Sequence, residues 1–204
     1  MNPLLYNQAI TIADYLVNTN MEVVCFDTET TGFDTTSEII EISAVDMKDN
    51  VLIDQLIRIN NPLPEVIKKI THIDDQMLAD KPMFLHVEST IKHIFNDNIW
   101  VAYNATFDVR MLLQDYALHY IKYSPQFFMV VDAMKLVTNV IQTVTNYGSF
   151  KWYKLEEARQ YFNLPMPEGA LHRAITDTKV MTSIIRHIAN LPPMDYDNIE
   201  QIPF

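Results

Sequence analysis

The chain has 204 residues, 49% of them hydrophobic and 20% charged, which is the balance of a globular protein long enough to bury a sizeable core. Its 26 acidic and 15 basic residues give a formal net charge of -11, which argues against a protein that wraps duplex nucleic acid by electrostatic attraction alone. One cysteine and three glycines exclude an internal disulfide framework, a CxxC zinc site and a glycine-rich phosphate loop.

Apolar spacing in the first half of the chain predicts a helix followed by three strands. The helix covers residues 4–17, and its stripe at helical spacing consists of Leu5, Ala9, Ile12 and Leu16. A strand at 22–27 follows. Two β-rich runs, EIIEISAVDM and VLIDQLIRIN, come next with only residues 48–50 between them. This short polar separation predicts a β-hairpin.

The second half of the chain predicts helices that alternate with strands, after a loop that contains Pro62 and Pro64. The predicted elements are a helix at about 83–95, the strand IWVAY, a helix over 106–120, the strand FFMVVD, and helices near 132–142, 154–162 and 173–190. The apolar stripe of the helix over 106–120 consists of Val109, Leu112, Leu113, Tyr116 and Tyr120. A hairpin followed by this alternation implies an α/β fold with a mixed sheet.

The chain contains no internal repeat and no low-complexity linker. We therefore expect a single domain over residues 1–190, which includes the N-terminal helix, and a Pro-rich acidic tail over 191–204. No apolar run approaches the length of a membrane span, and the first residues do not resemble an export signal. The expected location is therefore the cytoplasm.

Two carboxylates, Asp27 and Glu29, follow the apolar run of the first predicted strand. If that strand continues to residue 29, both side chains project from one face, because strand side chains alternate. Like charges this close repel each other unless a cation lies between them. In α/β sheets the active site usually lies off the carboxyl ends of the strands, where this pair is found. A lone Asp-x-Glu pair is weak on its own, because the chain has 26 acids.

Two later segments supply partners for this pair. In VAYNATFDVRML, a short strand leads to a predicted N-cap at Asn104. Asp108 then lies in the first helical turn, where the macrodipole favours a negative charge whatever its function. In HRAITDTKVMTSIIRHI, Asp177 shares one helical stripe with three apolar residues, Met181, Ile184 and Ile188. An acid on such a stripe is costly unless it is paired or binds a metal, although Asp177 could instead lie near water in the first turn.

Taken together, these segments resemble the DEDDh, or DnaQ-like, superfamily of 3′–5′ exonucleases, which includes the proofreading epsilon subunit of bacterial DNA polymerase III. The first motif of the superfamily, Asp-x-Glu-Thr-Thr-Gly, corresponds to residues 27–32. The second motif corresponds to Asn104, Phe107 and Asp108, and the third, His-x-Ala-x-x-Asp, to His172, Ala174 and Asp177. The order and separations also fit, and the resemblance covers about residues 20–190.

The resemblance implies a ribonuclease-H-like fold, with a five-stranded mixed sheet flanked by helices. It implies that two divalent cations, Mg²⁺ or Mn²⁺, are held by Asp27, Glu29, Asp108 and Asp177, and that His172 acts as general base on the attacking water. Carboxylates are the donors that these ions prefer, and two ions stabilise both the attacking and the leaving oxygen of a phosphodiester. Without a cation, each pair of carboxylates at ~5 Å would cost roughly 3 kcal/mol at an effective dielectric constant of ~20.

The resemblance also implies a set of substrate-binding residues. Thr30 and Thr31 would lie beside the terminal nucleotide, and Ile70 and Phe107 would pack against its base or sugar. The alternative for Ile70 and Phe107 is ordinary core packing. His72 stands where many relatives have a glycine, and this departure affects the rim of the predicted pocket.

The implied function is a metal-dependent 3′–5′ exonuclease that acts on single-stranded DNA and releases 5′-mononucleotides in proofreading or repair. An enzyme that trims RNA or short oligonucleotides would carry the same motifs, and a third hypothesis is an inactive nucleic-acid-binding module. The implied partners are a single-stranded 3′ end, DNA before RNA, and a polymerase or sliding clamp. Tail residues 201–204 are a candidate docking peptide, and the simpler alternative is that the tail packs against the domain or is disordered.

Overall fold

A mixed β-sheet of five strands runs through the protein, whose structure, a computed structural model, describes residues 1–168 and 173–195. The strands are β1 Val23–Thr30, β2 Ile39–Val45, β3 Val51–Leu56, β4 Asn98–Ala102 and β5 Phe127–Asp132. They lie in the order β3-β2-β1-β4-β5. The β1–β2 and β2–β3 pairs are antiparallel, whereas the β1–β4 and β4–β5 pairs are parallel. The predicted mixed sheet and the predicted hairpin are therefore confirmed.

Helices cover both faces of this sheet. They are α1 Pro3–Asn18, α2 Glu65–Thr71, α3 Asp75–Leu78, α4 Phe84–Phe95, α5 Ala105–Leu118, α6 Ala133–Ile141, α7 Leu155–Tyr161 and α8 Ala174–Ala189. The helices predicted with bounds are all present, and their ends differ from the predicted ends by one or two residues at most. Within the part of the chain that the structure describes, no helix is both long enough and apolar enough to cross a membrane.

The side chains of β1 alternate between two hydrophobic clusters. Cys25 faces a cluster formed with α1, α6 and α8, whereas Phe26 faces a cluster formed with α4 and α5. By the same alternation, Asp27 and Glu29 lie on the side of α8, and Thr28 lies on the side of α5. The carboxyl end of β1 is thus the place where groups from both helical layers can meet.

The predicted apolar stripe of α1 is partly wrong. Ala9 and Leu16 are buried, but Ile12 is 37% exposed and Leu5 is only half-buried. The buried residues of this helix are Pro3, Tyr6, Ala9, Ile10, Ala13 and Leu16. Because α1 contacts both α6 and α8, its buried face is wider than one stripe and is turned away from Ile12.

The predicted apolar stripe of α5 is also wrong at two positions, because Leu113 is 36% exposed and Tyr120 is 96% exposed. The buried residues of this helix are Ala105, Asp108, Met111, Leu112, Asp115 and Tyr116. Asp108 and Asp115 occupy the core-facing side because each accepts a hydrogen bond from the main chain of a strand or strand start. A stripe defined by apolar residues alone therefore misplaces the buried face of this helix.

Candidate active site

Three of the predicted site acids meet at the end of β1. β1 presents Asp27 and Glu29 on the side of α8, and α8 carries Asp177 in its first turn. One carboxylate oxygen from each of these residues lies within 4.8 Å of the others, and all three side chains are half-buried. The stripe predicted for α8 is confirmed, because the three apolar residues that share it with Asp177 are buried.

Asp108 reaches the same place from the other face of the sheet. Its side chain is 2% exposed, and its Oδ1 atom accepts hydrogen bonds from the Thr28 backbone N–H at 3.1 Å and from the Thr28 hydroxyl at 2.8 Å. Since Thr28 separates Asp27 from Glu29 in the chain, these bonds hold Asp108 near the acidic pair, on the other side of the sheet. An acid that only complements the helix macrodipole can stay exposed to solvent. The burial of Asp108 therefore depends on its tertiary contacts.

Asn104 occupies the predicted N-cap position of α5, but the predicted capping interaction is wrong. Its backbone is left-handed, with φ 66° and ψ 54°, and its side chain makes no capping hydrogen bond. Its backbone N–H donates instead to Asp132 Oδ1 at 3.3 Å, at the end of β5. Asparagine tolerates the left-handed region better than most residues, which suits it to the tight turn from β4 into α5.

An ion pair between buried Glu41 and half-buried Arg173, which the sequence analysis missed, lies beside these acids. Glu41 of β2 is fully buried and stands opposite Glu29 in the β1–β2 ladder. Arg173 donates to Glu41 Oε1 from Nε at 2.9 Å and from Nη2 at 2.5 Å. The Oε2 atom of Glu41 accepts the backbone N–H of Ala174, the first residue of α8, at 3.0 Å. The pair therefore fixes the start of α8 against the sheet, and its only sequence signal is the place of Arg173 inside the third motif.

Burial and mutual repulsion raise the pKa values of the clustered acids. Burial raises the pKa of Asp27 well above its usual value, and the charges of Asp108 and Glu29 raise it further. The pKa of Glu29 rises from 4.5 to about 8, mainly through burial and then through the charge of Asp177. Burial raises the pKa of Asp108 to about 7, against the lowering effect of its hydrogen bonds to Thr28. Burial is the largest cause of all three shifts, and the charge of Arg173 lowers the pKa of Glu29 against it.

The donor set fits a divalent cation. Carboxylate oxygens are the ligands that Mg²⁺ and Mn²⁺ prefer, and three such oxygens already lie close together. A bound cation would stabilise the charged form of these carboxyl groups and would lower their raised pKa values. The arrangement can therefore hold a divalent cation, whereas the acids of an ordinary surface patch would be spread apart in water. Two predicted features, His172 and the tail residues 201–204, lie outside the described residues.

The two predicted threonines belong to the loop that leaves β1. Thr30 is buried, and its hydroxyl donates to the carbonyl oxygen of Gly32 at 2.7 Å. The Thr31 hydroxyl accepts the backbone N–H of Glu38 at 3.0 Å, and the Thr31 N–H donates to the Glu38 carbonyl at 2.9 Å. Both threonines thus stabilise the loop next to the acids, and their role toward a nucleotide stays a prediction.

The two predicted apolar contacts differ, because Ile70 lies at the surface whereas Phe107 packs against the hydrophobic cluster formed with α4 and α5. Ile70 is 46% exposed, so core packing does not account for it. Phe107 is half-buried, and its ring lies 5.6 Å from the ring of exposed Phe33. His72 ends α2 with φ 57°, the left-handed conformation that glycine adopts without steric cost.

Comparison with known proteins matches the part of the chain that contains Asp27, Glu29, Asp108 and Asp177 to exonucleases. A family model for exonucleases matches residues 24–185. The chain is 32% identical over 184 residues to a PolC-type DNA polymerase III of Staphylococcus saprophyticus, which is 88% of this chain but 12% of that polymerase. It is 26% identical over 170 residues to an uncharacterized exonuclease, CP81, of Escherichia phage 186, which is 81% of this chain and 87% of that protein.

Solved structures support the same fold. Exonuclease X, in complex with 5′-overhanging duplex DNA, superposes with a TM-score of 0.62 at 24% identity, and the match covers 87% of this chain and 96% of that one. At this identity the likeness shows the fold alone. The five-stranded mixed sheet flanked by helices is therefore the ribonuclease-H-like fold that the sequence predicted.

The raised pKa of Glu29 predicts how stability depends on pH without metal. Between pH 4.5 and about 8 the folded protein retains a proton that the unfolded chain has released. Raising the pH through this window should therefore lower the melting temperature in EDTA.

Adding Mg²⁺ or Mn²⁺ should raise the melting temperature, and this gain should shrink in Asp27→Ala. Scanning calorimetry from about pH 5 to about pH 8.5 measures both effects. A metal-independent melting temperature would contradict the assignment, and Glu65→Gln, at an exposed acid of α2, is the control.

The buried pair of Glu41 and Arg173 predicts a large stability effect. Arg173→Met leaves Glu41 buried without its counter-ion, and we expect a loss of about 3–5 kcal/mol in urea unfolding. Lys151→Met removes one partner of the exposed pair with Glu157 and should cost about 1 kcal/mol or less. The double variant Arg173→Met/Glu41→Gln should recover part of the loss. If Arg173→Met and Lys151→Met lose the same free energy of unfolding, the pair of Glu41 and Arg173 does not anchor α8.

Proposed function

The chain belongs to the DnaQ-like family of 3′–5′ exonucleases, and on that premise we propose that it degrades single-stranded DNA from the 3′ end in proofreading or repair. Each cycle hydrolyses one phosphodiester bond and releases a 5′-mononucleotide. The observation that carries this proposal is the approach of Asp27, Glu29 and Asp177 to within 4.8 Å, with buried Asp108 beside them. The preference for DNA is supported by the PolC-type DNA polymerases among the relatives.

We propose that Asp27, Glu29, Asp108 and Asp177 hold two divalent cations, Mg²⁺ or Mn²⁺. Two such ions, when bound, stabilise the attacking and leaving oxygens and make water a nucleophile near neutral pH. The protein orients the carboxylates that would bind these ions. Thr28, for example, fixes Asp108 by two hydrogen bonds. Likewise, the pair of Glu41 and Arg173 fixes the helix that carries Asp177, by the contacts at its first residue.

His172 is proposed as the general base. A histidine with an ordinary pKa near 6.5 can take the proton of the attacking water at neutral pH. The proposal for His172 itself rests on the third motif of the sequence.

We propose that the terminal nucleotide lies against the loop after β1. Thr30 and Thr31 would contact it through the loop backbone, since their hydroxyls stabilise the loop itself. Ile70 and Phe107 would contact the terminal base or sugar, because Ile70 is exposed and Phe107 carries an exposed aromatic neighbour, Phe33. Apolar and aromatic surfaces of this kind stack on any base and suit an enzyme without sequence preference.

Shortening of labelled strands tests the enzymatic proposal. End-labelled single-stranded DNA should shorten from its 3′ end in Mg²⁺, should stay intact in EDTA, and should be degraded faster than RNA of the same sequence. Asp177→Asn should lower the rate by more than the ~10–100-fold typical of a group that only orients a metal ligand. Asp14→Asn, at an exposed acid of α1, is the matched control. Faster loss of RNA would assign the RNA-trimming function, and no loss of either polymer would assign a binding module.

We further propose that residues 1–190 act as one exonuclease domain to which a polymerase or sliding clamp delivers the 3′ end. The net charge of -11 predicts weak intrinsic attraction to nucleic acid, so a delivering partner would be useful. The PolC-type relatives, of which the matched region is 12%, offer one arrangement in which such a domain belongs to a polymerase. The candidate docking segment is the end of the chain, residues 201–204.

Truncation tests the docking proposal. Removing residues 196–204 should leave the fold intact, because Met194 still exchanges hydrogen bonds of 2.8 Å with the Asn7 side chain. The truncated protein should degrade free oligonucleotides at the same rate, and it should lose co-elution with a purified bacterial sliding clamp. Phe204→Ala in the full chain should weaken co-elution similarly. Absence of clamp binding by the full chain, or equal binding by both forms, would reject this docking segment.

A further inference from the structure

A second group of potential metal ligands lies where α5 meets the start of β2. It consists of Glu38, the residue before β2, together with Asp115 and His119 at the C-terminal end of α5. One ligand atom from each residue lies within 4.8 Å of the others. Asp115 and His119 are four residues apart, so they project from the same side of the helix. None of these residues belongs to the acid cluster at the end of β1.

Asp115 carries a buried oxygen atom without a hydrogen-bond partner. The residue is 1% exposed, and its Oδ2 atom accepts the backbone N–H of Ile39 at 2.7 Å. Its Oδ1 atom has no hydrogen-bond partner among the described residues. His119 Nε2 lies 3.5 Å from this Oδ1 atom, which is long for a hydrogen bond. A buried carboxylate oxygen left in this way is costly, and a bound ion is one of the few arrangements that satisfies it.

Each of the three residues also makes contacts that fix its position. The His119 ring stacks on Phe84, with ring centres 5.3 Å apart and ring planes at 8°. Asp115 is oriented through its other oxygen by Ile39. The backbone of Glu38 is paired with Thr31 by two hydrogen bonds. Supporting contacts of this kind orient the ligands of metal sites in proteins.

The negative charge of Glu38 and Asp115 also favours the binding of a cation. Burial raises the pKa of Asp115 to about 7, and the charge of Glu38 raises it further. Among the ion pairs of residues 1–168 and 173–195, no lysine or arginine pairs with Glu38 or Asp115. A divalent ion between the two carboxylates would remove their repulsion and satisfy the buried oxygen.

We propose that Glu38, Asp115 and His119 form a binding site for a divalent transition-metal ion, for which Zn²⁺ is the best match. One imidazole nitrogen and two carboxylate oxygens are common Zn²⁺ ligands, and three protein ligands leave a fourth position for water. Mg²⁺ prefers oxygen ligands and fits the all-carboxylate cluster at the end of β1 better than this one. The ion would join the end of α5 to the start of β2 and would stiffen the loop that contains Thr31.

Metal binding, rather than activity, tests this proposal, so its outcome is independent of the exonuclease assignment. The full chain carrying Asp27→Asn and Asp177→Asn lacks two ligands of the β1 cluster and serves as the background. Equilibrium dialysis with Zn²⁺, followed by metal analysis, should find one bound equivalent that excess Mg²⁺ does not displace. His119→Phe, which keeps an aromatic ring to stack on Phe84, should lose this equivalent. His93→Gln, at an exposed histidine of α4, should retain it.

A second variant keeps the test decisive if His119→Phe is unfolded. Asp115→Asn retains an acceptor for the Ile39 N–H and should weaken Zn²⁺ binding at least about tenfold. Zn²⁺ should also raise the melting temperature of the background protein, and both variants should abolish this rise. Unchanged Zn²⁺ stoichiometry in the folded variants, or no bound equivalent in the background protein, would overturn the proposal.

Discussion

The crowding of half-buried carboxylates at the end of β1 is the constraint on which the candidate site depends. Asp27, Glu29 and Asp177 bring oxygen atoms within 4.8 Å of one another, and burial and repulsion raise the pKa of Glu29 to about 8. Left to themselves, such groups would move apart into water, so other contacts must hold them. Two contacts do so: Thr28 binds Asp108 by two hydrogen bonds, and Glu41 binds Arg173 and the first residue of α8. The site is therefore anchored beside the acids, by neighbours whose own charges and hydrogen bonds are satisfied.

The topology of the sheet explains why one short strand can collect groups from both helical layers. β1 lies between antiparallel β2 and parallel β4, and its pairing with β4 ends at Cys25, so that the carboxyl end of β1 is paired with β2 alone. Its alternating side chains direct Asp27 and Glu29 toward α8 and direct Thr28 toward α5. Three successive positions thus reach two helices that are far apart in the sequence. A register shift of one residue would exchange these directions and separate the acids.

The sequence predicted the parts of this arrangement that depend on local pattern. The strand that carries Asp27 and Glu29, the stripe below Asp177 and the mixed sheet were all found as expected. It could not predict the pair of Glu41 and Arg173, because the two residues are 132 positions apart and only tertiary structure brings them together. The position of the N-cap at Asn104 was predicted, but its side chain makes no capping hydrogen bond, its backbone is left-handed, and its N–H donates to Asp132.

The errors on α5 have a common cause, which links the two acidic sites. A helix is expected to bury its apolar stripe, yet α5 turns Asp108 and Asp115 toward the sheet and leaves Leu113 partly exposed. Each acid gains a hydrogen bond from strand backbone, but neither gains a lysine or arginine partner among the described ion pairs. Hydrogen bonds from neutral groups only partly replace the water that a carboxylate loses on burial. The orientation of α5 is therefore most stable when positive charge is present at both ends of the helix, which is the condition that bound cations would meet.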